Sequence, residues 1–152
     1  MILSKRNLFA AALLAGIAFF ALAQATSPAG VWKTIDDGTK KEKSLIRIVE
    51  ANGVYSGKVD KFLDPDTPKD AVCKDCGGER KDKPILGMTI VRNMKQSADD
   101  KAVFEGGDIL DPNNGKVYQS KMKLVDNGAK LEVRGFIGIS LLGRTQTWIR
   151  VE

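Results

Sequence analysis

Residues 133–152 read VRGFIGISLLGRTQTWIRVE, the densest mixture of aromatic, basic and amide side chains in the chain. The pattern predicts two antiparallel strands, Lys130 to Phe136 and Arg144 to Val151, joined by a glycine-rich corner. Side chains in a strand alternate between faces. On the last strand Arg144, Gln146, Trp148 and Arg150 therefore share one face, and Thr145, Thr147, Ile149 and Val151 the other. On its neighbour Glu132, Arg134 and Phe136 alternate with Leu131, Val133 and Gly135. This pair is expected to close a small barrel onto Gly30-Val31-Trp32, where the folded part begins.

Working outward, the rest of the chain repeats the same grammar of short alternating runs split by turn signals. No segment shows a sustained period of 3.6, which argues for an all-β domain. Strands are expected at Val31 to Asp36, Ser44 to Glu50, Val54 to Leu63, Met88 to Met94, Ala102 to Leu110 and Lys116 to Val125. Asn52-Gly53 suits a primed hairpin turn, in which both central residues take positive φ. Asp111-Pro112-Asn113-Asn114-Gly115 and Asp126-Asn127-Gly128 are further turn signals. Gly106-Gly107 inside a strand predicts a bulge or bend. Eight strands joined mainly by short connections predict a single antiparallel β-barrel. A barrel of that size is either filled by side chains or holds one small ligand. The stretch Asp64 to Pro84 breaks the rhythm, with three prolines, both cysteines and Gly77-Gly78.

The N-terminus is of another kind. Lys5 and Arg6 precede an uncharged apolar run from Leu8 to Leu22, and small residues follow, Ala21-Leu22-Ala23 or Ala23-Gln24-Ala25. That is the three-part pattern of a secretory signal peptide, so residues 1–25 are read as a signal peptide and 26–152 as the domain. The alternative, an uncleaved anchor, has a run short of the ~20 apolar residues a span needs. The reading places the protein in the periplasm or outside the cell, with no integral membrane span after cleavage. Loss of Lys5 and Arg6 lowers the net charge from +5 to +3. The remaining charges are interspersed, with no basic stripe to suggest a nucleic-acid partner. The chain has no histidine, which excludes Ser-His-Asp and Cys-His catalysis and any histidine metal site. No cofactor or metal motif is present.

Gly30-x-Trp32 opening the first strand, with Arg150 near the end of the last, resembles the lipocalins and the wider calycin barrels. The resemblance implies that Arg150 packs across Trp32 and closes one end. The longer series GVWKTIDD, CKDCGGERKDKPILGM, GGDILDPNNGKVY and LEVRGFIGISLLGRTQTWIR resembles the bacterial family called domain of unknown function 2147, small secreted proteins, over Gly30 to Arg150. It brings a compartment and domain boundaries but no activity.

Three constellations are candidates for function. Cys73-Lys74-Asp75-Cys76 has the spacing of a thiol–disulfide exchanger, but a reactive cysteine needs a helix N-terminus to lower its pKa, and a charged, proline-rich loop surrounds it. In an oxidising compartment a structural disulfide stiffening the rim of the barrel is the plainer reading. The second constellation is a ligand site of Trp32, Asp36, Arg134, Arg144, Gln146 and Trp148, a polar lining suited to a small polar or anionic ligand, since arginine grips carboxylates bidentately. The competing reading is a mutually satisfied network that only locks the fold of an envelope interaction module. Third, Asp36, Asp37, Asp82, Asp108 and Asp111 fit no matched motif, although paired carboxylates at about 5–10 Å hydrolyse glycosides. Aspartates at turn signals more simply cap the backbone. The function expected from these residues is therefore binding of a small molecule or an envelope component without catalysis. A hydrolase using the aspartates is the lower alternative.

Overall fold

A computed structural model describes residues 26–152. The predicted signal peptide, residues 1–25, lies outside the described residues. The strands are β1 (Gly30–Ile35), β2 (Glu42–Ala51), β3 (Val54–Phe62), β4 (Thr89–Gln96), β5 (Val103–Asp111), β6 (Lys116–Val125), β7 (Lys130–Phe136) and β8 (Arg144–Arg150). Each pairs antiparallel with its neighbour in sequence, and β8 pairs back onto β1 to close the barrel. Every strand expected from the alternation is present, with ends displaced by no more than two residues. Among the described residues no helix is long and apolar enough to cross a membrane.

Local chemistry explains the path. Asn52 and Gly53 have φ of 53° and 77°, the left-handed pair that a tight β2–β3 hairpin demands. The β5–β6 register shifts between Phe104 and Gly107, where Gly106 has a φ of 82°. A Cβ on Gly107 would lie 2.0 Å from the Arg92 carbonyl oxygen, so the bulge lets β4 approach at a place no side chain could occupy. The inward faces follow the predicted period of two. Ile46 and Ile48 of β2, Val59 of β3, Met122 and Leu124 of β6, Leu131 and Val133 of β7 and Trp148 of β8 are all buried in one core.

The two ends of the barrel differ. One end, the floor, holds the N-terminal segment, the chain's last residues and the β2–β3, β4–β5 and β6–β7 turns. Trp32 and Arg150 are directly opposed across the β1–β8 seam, and the Arg150 guanidinium lies 4.2 Å from the indole centroid. It also donates to the carbonyls of Gly128 (2.7 Å), Ala29 (2.9 Å) and Ser27 (2.7 Å). The indole Nε1 donates to the Pro28 carbonyl at 2.7 Å. Burial pushes the Arg150 guanidinium pKa down, and the three carbonyls and the ring face are what compensate it. The seam itself is short, with Trp32↔Arg150 and Lys33↔Ile149 its paired residues. Above them β1 and β8 part company toward the other end, the mouth.

Candidate functional site

The mouth opens into a cavity of about 540 Å³. That is within the range of roughly 300–1,000 Å³ typical of small-molecule sites. Its wall is built by alternate residues of the strands. Ile46, Val59, Ile90, Ile109, Val133 and Trp148 form the apolar body. Near the rim the lining turns polar, with Thr34, Asp36, Lys43, Ser44, Tyr118, Gln146 and Arg144.

Ion pairs already occupy the charges of this collar. Arg144, at the start of β8, donates through Nε to Asp37 Oδ2 at 2.8 Å and through Nη2 to the same oxygen. That bond holds the guanidinium pKa above its ordinary value. Gln146 Nε2 reaches the same carboxylate at 3.4 Å, and its Oε1 accepts from Trp148 Nε1 at 3.4 Å. A chain of contacts thus runs from the rim to the indole, and Arg144–Asp37 clasps the upper ends of the two strands that have parted. Lys43 donates to Asp64 Oδ2 at 2.5 Å, and this hydrogen bond is the main reason the Asp64 carboxyl sits below the usual carboxylate range.

Of the five aspartates, Asp36 and Asp111 cap turns, and Asp37 and Asp108 pair with cations. Asp36 Oδ1 accepts from the amides of Gly38 and Thr39 and from the Thr39 hydroxyl. The Thr39 amide is the largest cause of its lowered pKa. Asp111 holds the amides of Asn113 and Asn114, and Asp108 pairs with Arg92. A hydrolytic general acid needs the opposite shift, a pKa raised by its surroundings. Asp36 is stabilised as the anion instead.

Cys73 and Cys76 are joined in a disulfide. Both belong to the long β3–β4 connection and are buried in the core cluster. That connection folds back on itself, with Cys73 N donating to Lys83 O at 2.9 Å and Ile85 N to Ala71 O at 2.9 Å. It packs on the β5–β6 turn so closely that a Cβ on Gly115 would sit 1.9 Å from the Asp75 carbonyl oxygen. From this connection Thr67 and Ile85 reach the cavity, so the disulfide-bearing loop does form part of the rim.

Of the predicted ligand residues, Asp36, Arg144, Gln146 and Trp148 line the cavity. Trp32 does not; its ring belongs to the floor, spent on Pro28 and Arg150. Arg134 is a correction. The β7–β8 register sets Val133 opposite Gln146 and Arg134 opposite Thr145, so Arg134 lies on the outer face. Its guanidinium binds the Ser140 and Leu141 carbonyls and the Thr145 hydroxyl. The polar residues of the lining gather as a collar at the mouth, with Ile46, Val59, Ile90, Ile109, Val133 and Trp148 among the residues of the wall. Ile90, Ile109, Phe62 and Tyr118 are wall residues that the sequence pattern does not single out. Their period-two placement on their strands is the available signal.

A closed eight-stranded antiparallel barrel with its floor sealed by a Trp–Arg contact and its mouth open to an internal chamber defines a lipocalin-type fold. A solved structure from Helicobacter pylori, titled "Protein HP1028 from the human pathogen Helicobacter pylori belongs to the lipocalin family", superposes with a TM-score of 0.72 at 20% identity, covering 84% of this chain and 85% of that one. At that identity the likeness concerns the fold alone. Among curated proteins none matches the chain. The chain belongs to the family described as "Uncharacterized protein conserved in bacteria (DUF2147)", which matches residues 30–150.

Proposed function

We propose that this protein is a secreted binding protein for small amphiphiles, taking an apolar chain into the barrel and leaving a polar head at the collar. The observation that carries this is the division of the cavity wall into an aliphatic and aromatic body and a polar rim. Burial of apolar surface supplies the affinity, roughly 0.8 kcal/mol per buried methylene. Because Arg144 is engaged by Asp37 and Lys43 by Asp64, the collar favours a hydrogen-bonding, uncharged or zwitterionic head over a bare anion. Secretion rests on the signal-like pattern of residues 1–25 and agrees with a disulfide, which persists in oxidising compartments. The lipocalin fold of the Helicobacter pylori protein supports a binding role by analogy.

The test is titration with the apolar dye N-phenylnaphthylamine, followed by displacement with alkyl glycosides, alkyl carboxylates and alkylammonium ions of matched chain length. Saturable dye binding is expected, with displacement that strengthens as the chain lengthens and with glycosides ahead of carboxylates. Gly135 lines the chamber, and a Cβ there would meet Tyr118 at 3.4 Å and Ile109 at 3.5 Å, so a small side chain fits and a larger one fills the space. Gly135→Leu is expected to weaken dye binding more than about tenfold while the far-ultraviolet circular dichroism is retained. Absence of saturable binding, or a folded Gly135→Leu variant that binds like the wild type, overturns the assignment in favour of an envelope module with a structural interior.

A further inference from the structure

The connection between β7 and β8, residues 137–143, reads IGISLLG and carries no charge. It stands at the mouth. Ile137, Ile139, Leu141 and Leu142 are 71%, 59%, 84% and 81% exposed, whereas the inward apolar residues of the strands are buried or half-buried. Ile137 and Leu142 also line the cavity, whereas Ile139 and Leu141 do not. One apolar surface therefore runs from the exposed loop down into the chamber.

The loop is built to hold those side chains outward. Arg134, beneath it on the outer wall, donates to the Ser140 carbonyl at 2.6 Å and the Leu141 carbonyl at 3.1 Å. Within the loop Leu142 N donates to Ile139 O at 3.3 Å and Gly143 N to Ser140 O at 3.2 Å. The carbonyls of three successive residues, Ile139, Ser140 and Leu141, thus have donors from the protein itself. A segment that enters hydrocarbon needs its backbone polar groups satisfied internally, because no water is there to do it. Arg144 is paired with Asp37, but Arg134 binds two carbonyls and a hydroxyl and keeps its positive charge, the sign that suits the negative surface potential of anionic lipid. A convex tip of four side chains is also unlike a standard protein interface, which buries about 800 Å² per partner over a broad face.

From this geometry we infer that the β7–β8 loop is a lipid-surface docking element that seats the mouth of the barrel in the interfacial region of a bilayer. Its apolar side chains enter the acyl boundary, and the chamber becomes continuous with the lipid phase. An amphiphile then passes between bilayer and barrel without exposing its chain to water. That last consequence rests on the amphiphile reading above; the docking itself does not.

The disulfide occupies both native cysteines, so a single introduced cysteine is labelled selectively. In the full chain, an environment-sensitive nitrobenzoxadiazole label on Leu141→Cys reports on the loop, and the same label on Asn52→Cys reports on the floor. Each is titrated with phosphatidylcholine vesicles and with phosphatidylcholine–phosphatidylglycerol vesicles. The expected result is a blue shift and quenching by lipid-borne quenchers at Leu141→Cys, stronger with the anionic vesicles, and none at Asn52→Cys. Adding Ile139→Ser to the Leu141→Cys protein is expected to weaken partitioning by about tenfold and to leave N-phenylnaphthylamine affinity unchanged. Three results overturn the inference: no shift at Leu141→Cys, an equal shift at both sites, or a shift without vesicles that tracks self-association, which would make a second copy the occupant. If dye binding fails but the loop still partitions, the amphiphile reading falls and docking stands; the converse result leaves a carrier that works away from lipid.

Discussion

The floor and the mouth are made from the same two strands, and they spend their arginines in opposite ways. At the floor Arg150 is half-buried, laid over Trp32 and committed to three backbone carbonyls. At the mouth Arg144, six residues earlier on the same face of β8, is largely exposed and paired with one carboxylate. The first arrangement makes a fixed plug. A cation desolvated among carbonyls and a ring face is strong only while every partner is in place. The second makes a clasp, since an exposed ion pair contributes little and exchanges readily with water. A barrel that admits a guest needs one end of each kind.

That contrast is most easily broken at the floor. Trp32→Ala removes a fully buried indole, its bond to Pro28 and the platform under Arg150. It is expected to lower unfolding free energy by about 3–5 kcal/mol, read as a shift in the urea midpoint. A loss under about 1 kcal/mol would mean the floor is not what holds the barrel shut. Next in size is the rim staple. Reducing the Cys73–Cys76 bond frees a loop whose cysteines are three positions apart, which corresponds to about 2 kcal/mol on the chain-entropy account. Since both cysteines are buried and the Cys73 sulfur lies 3.5 Å from the Pro112 carbonyl oxygen of the β5–β6 turn, reduction is expected to be slow under native conditions and to weaken dye binding as well as lower the melting temperature. Smaller again is the clasp. Arg144→Ala is expected to lower stability by no more than about 1 kcal/mol, yet to speed dye association in stopped-flow mixing, because only the long Gln146–Asp37 contact, at 3.4 Å, then spans β1 and β8 above Lys33 and Ile149. Equal effects of Trp32→Ala and Arg144→Ala on stability would erase the distinction between plug and clasp.

The plug is more legible in the sequence than the clasp. Trp32 and Arg150 sit at the two extremes of the alternating pattern, and closing the barrel brings extremes together whatever the details of register. Strand order, the Asn52-Gly53 hairpin and the Gly106-Gly107 bulge are readable for a similar reason: each depends on local backbone chemistry. Arg134 is misplaced by alternation alone because its side depends on the β7–β8 register, and a shift of one residue exchanges inside for outside. Alternation shows that Arg134 and Val133 oppose each other; only the pairing Val133↔Gln146 says which faces Trp148. The chamber is hidden for a different reason. Whether eight strands enclose space or fill it depends on the summed volume of side chains from every strand, and no window of sequence contains that sum. The glycine-rich corner at 137–143 reads as a turn, and its apolar exposure follows from where the turn lands.

The smallest expected effect separates the two ends by acid. Asp36 and Asp64 have carboxyl pKa values below their ordinary 3.8, held down chiefly by the Thr39 amide and by Lys43. A carboxylate with a depressed folded-state pKa contributes stability that is present above the unfolded value and is lost as pH falls through the folded one. The turns these groups organise, residues 36–41 and 64–67, should therefore loosen as the solution is taken below pH 3.8. The Trp32 and Arg150 side-chain bonds at the floor run to backbone carbonyls, which do not titrate. Hydrogen exchange reads both ends in one experiment. The amides of Gly38, Thr39 and Asp66, which donate to Asp36 and Asp64, should lose protection first. Those of Val151 and Arg150, bonded to the Val31 and Ala129 carbonyls at 2.8 and 2.9 Å, should keep theirs until the barrel unfolds as a whole. Floor amides that exchange at the same pH as the rim would mean that the ends open together, and that the mouth has no independent motion with which to admit a ligand.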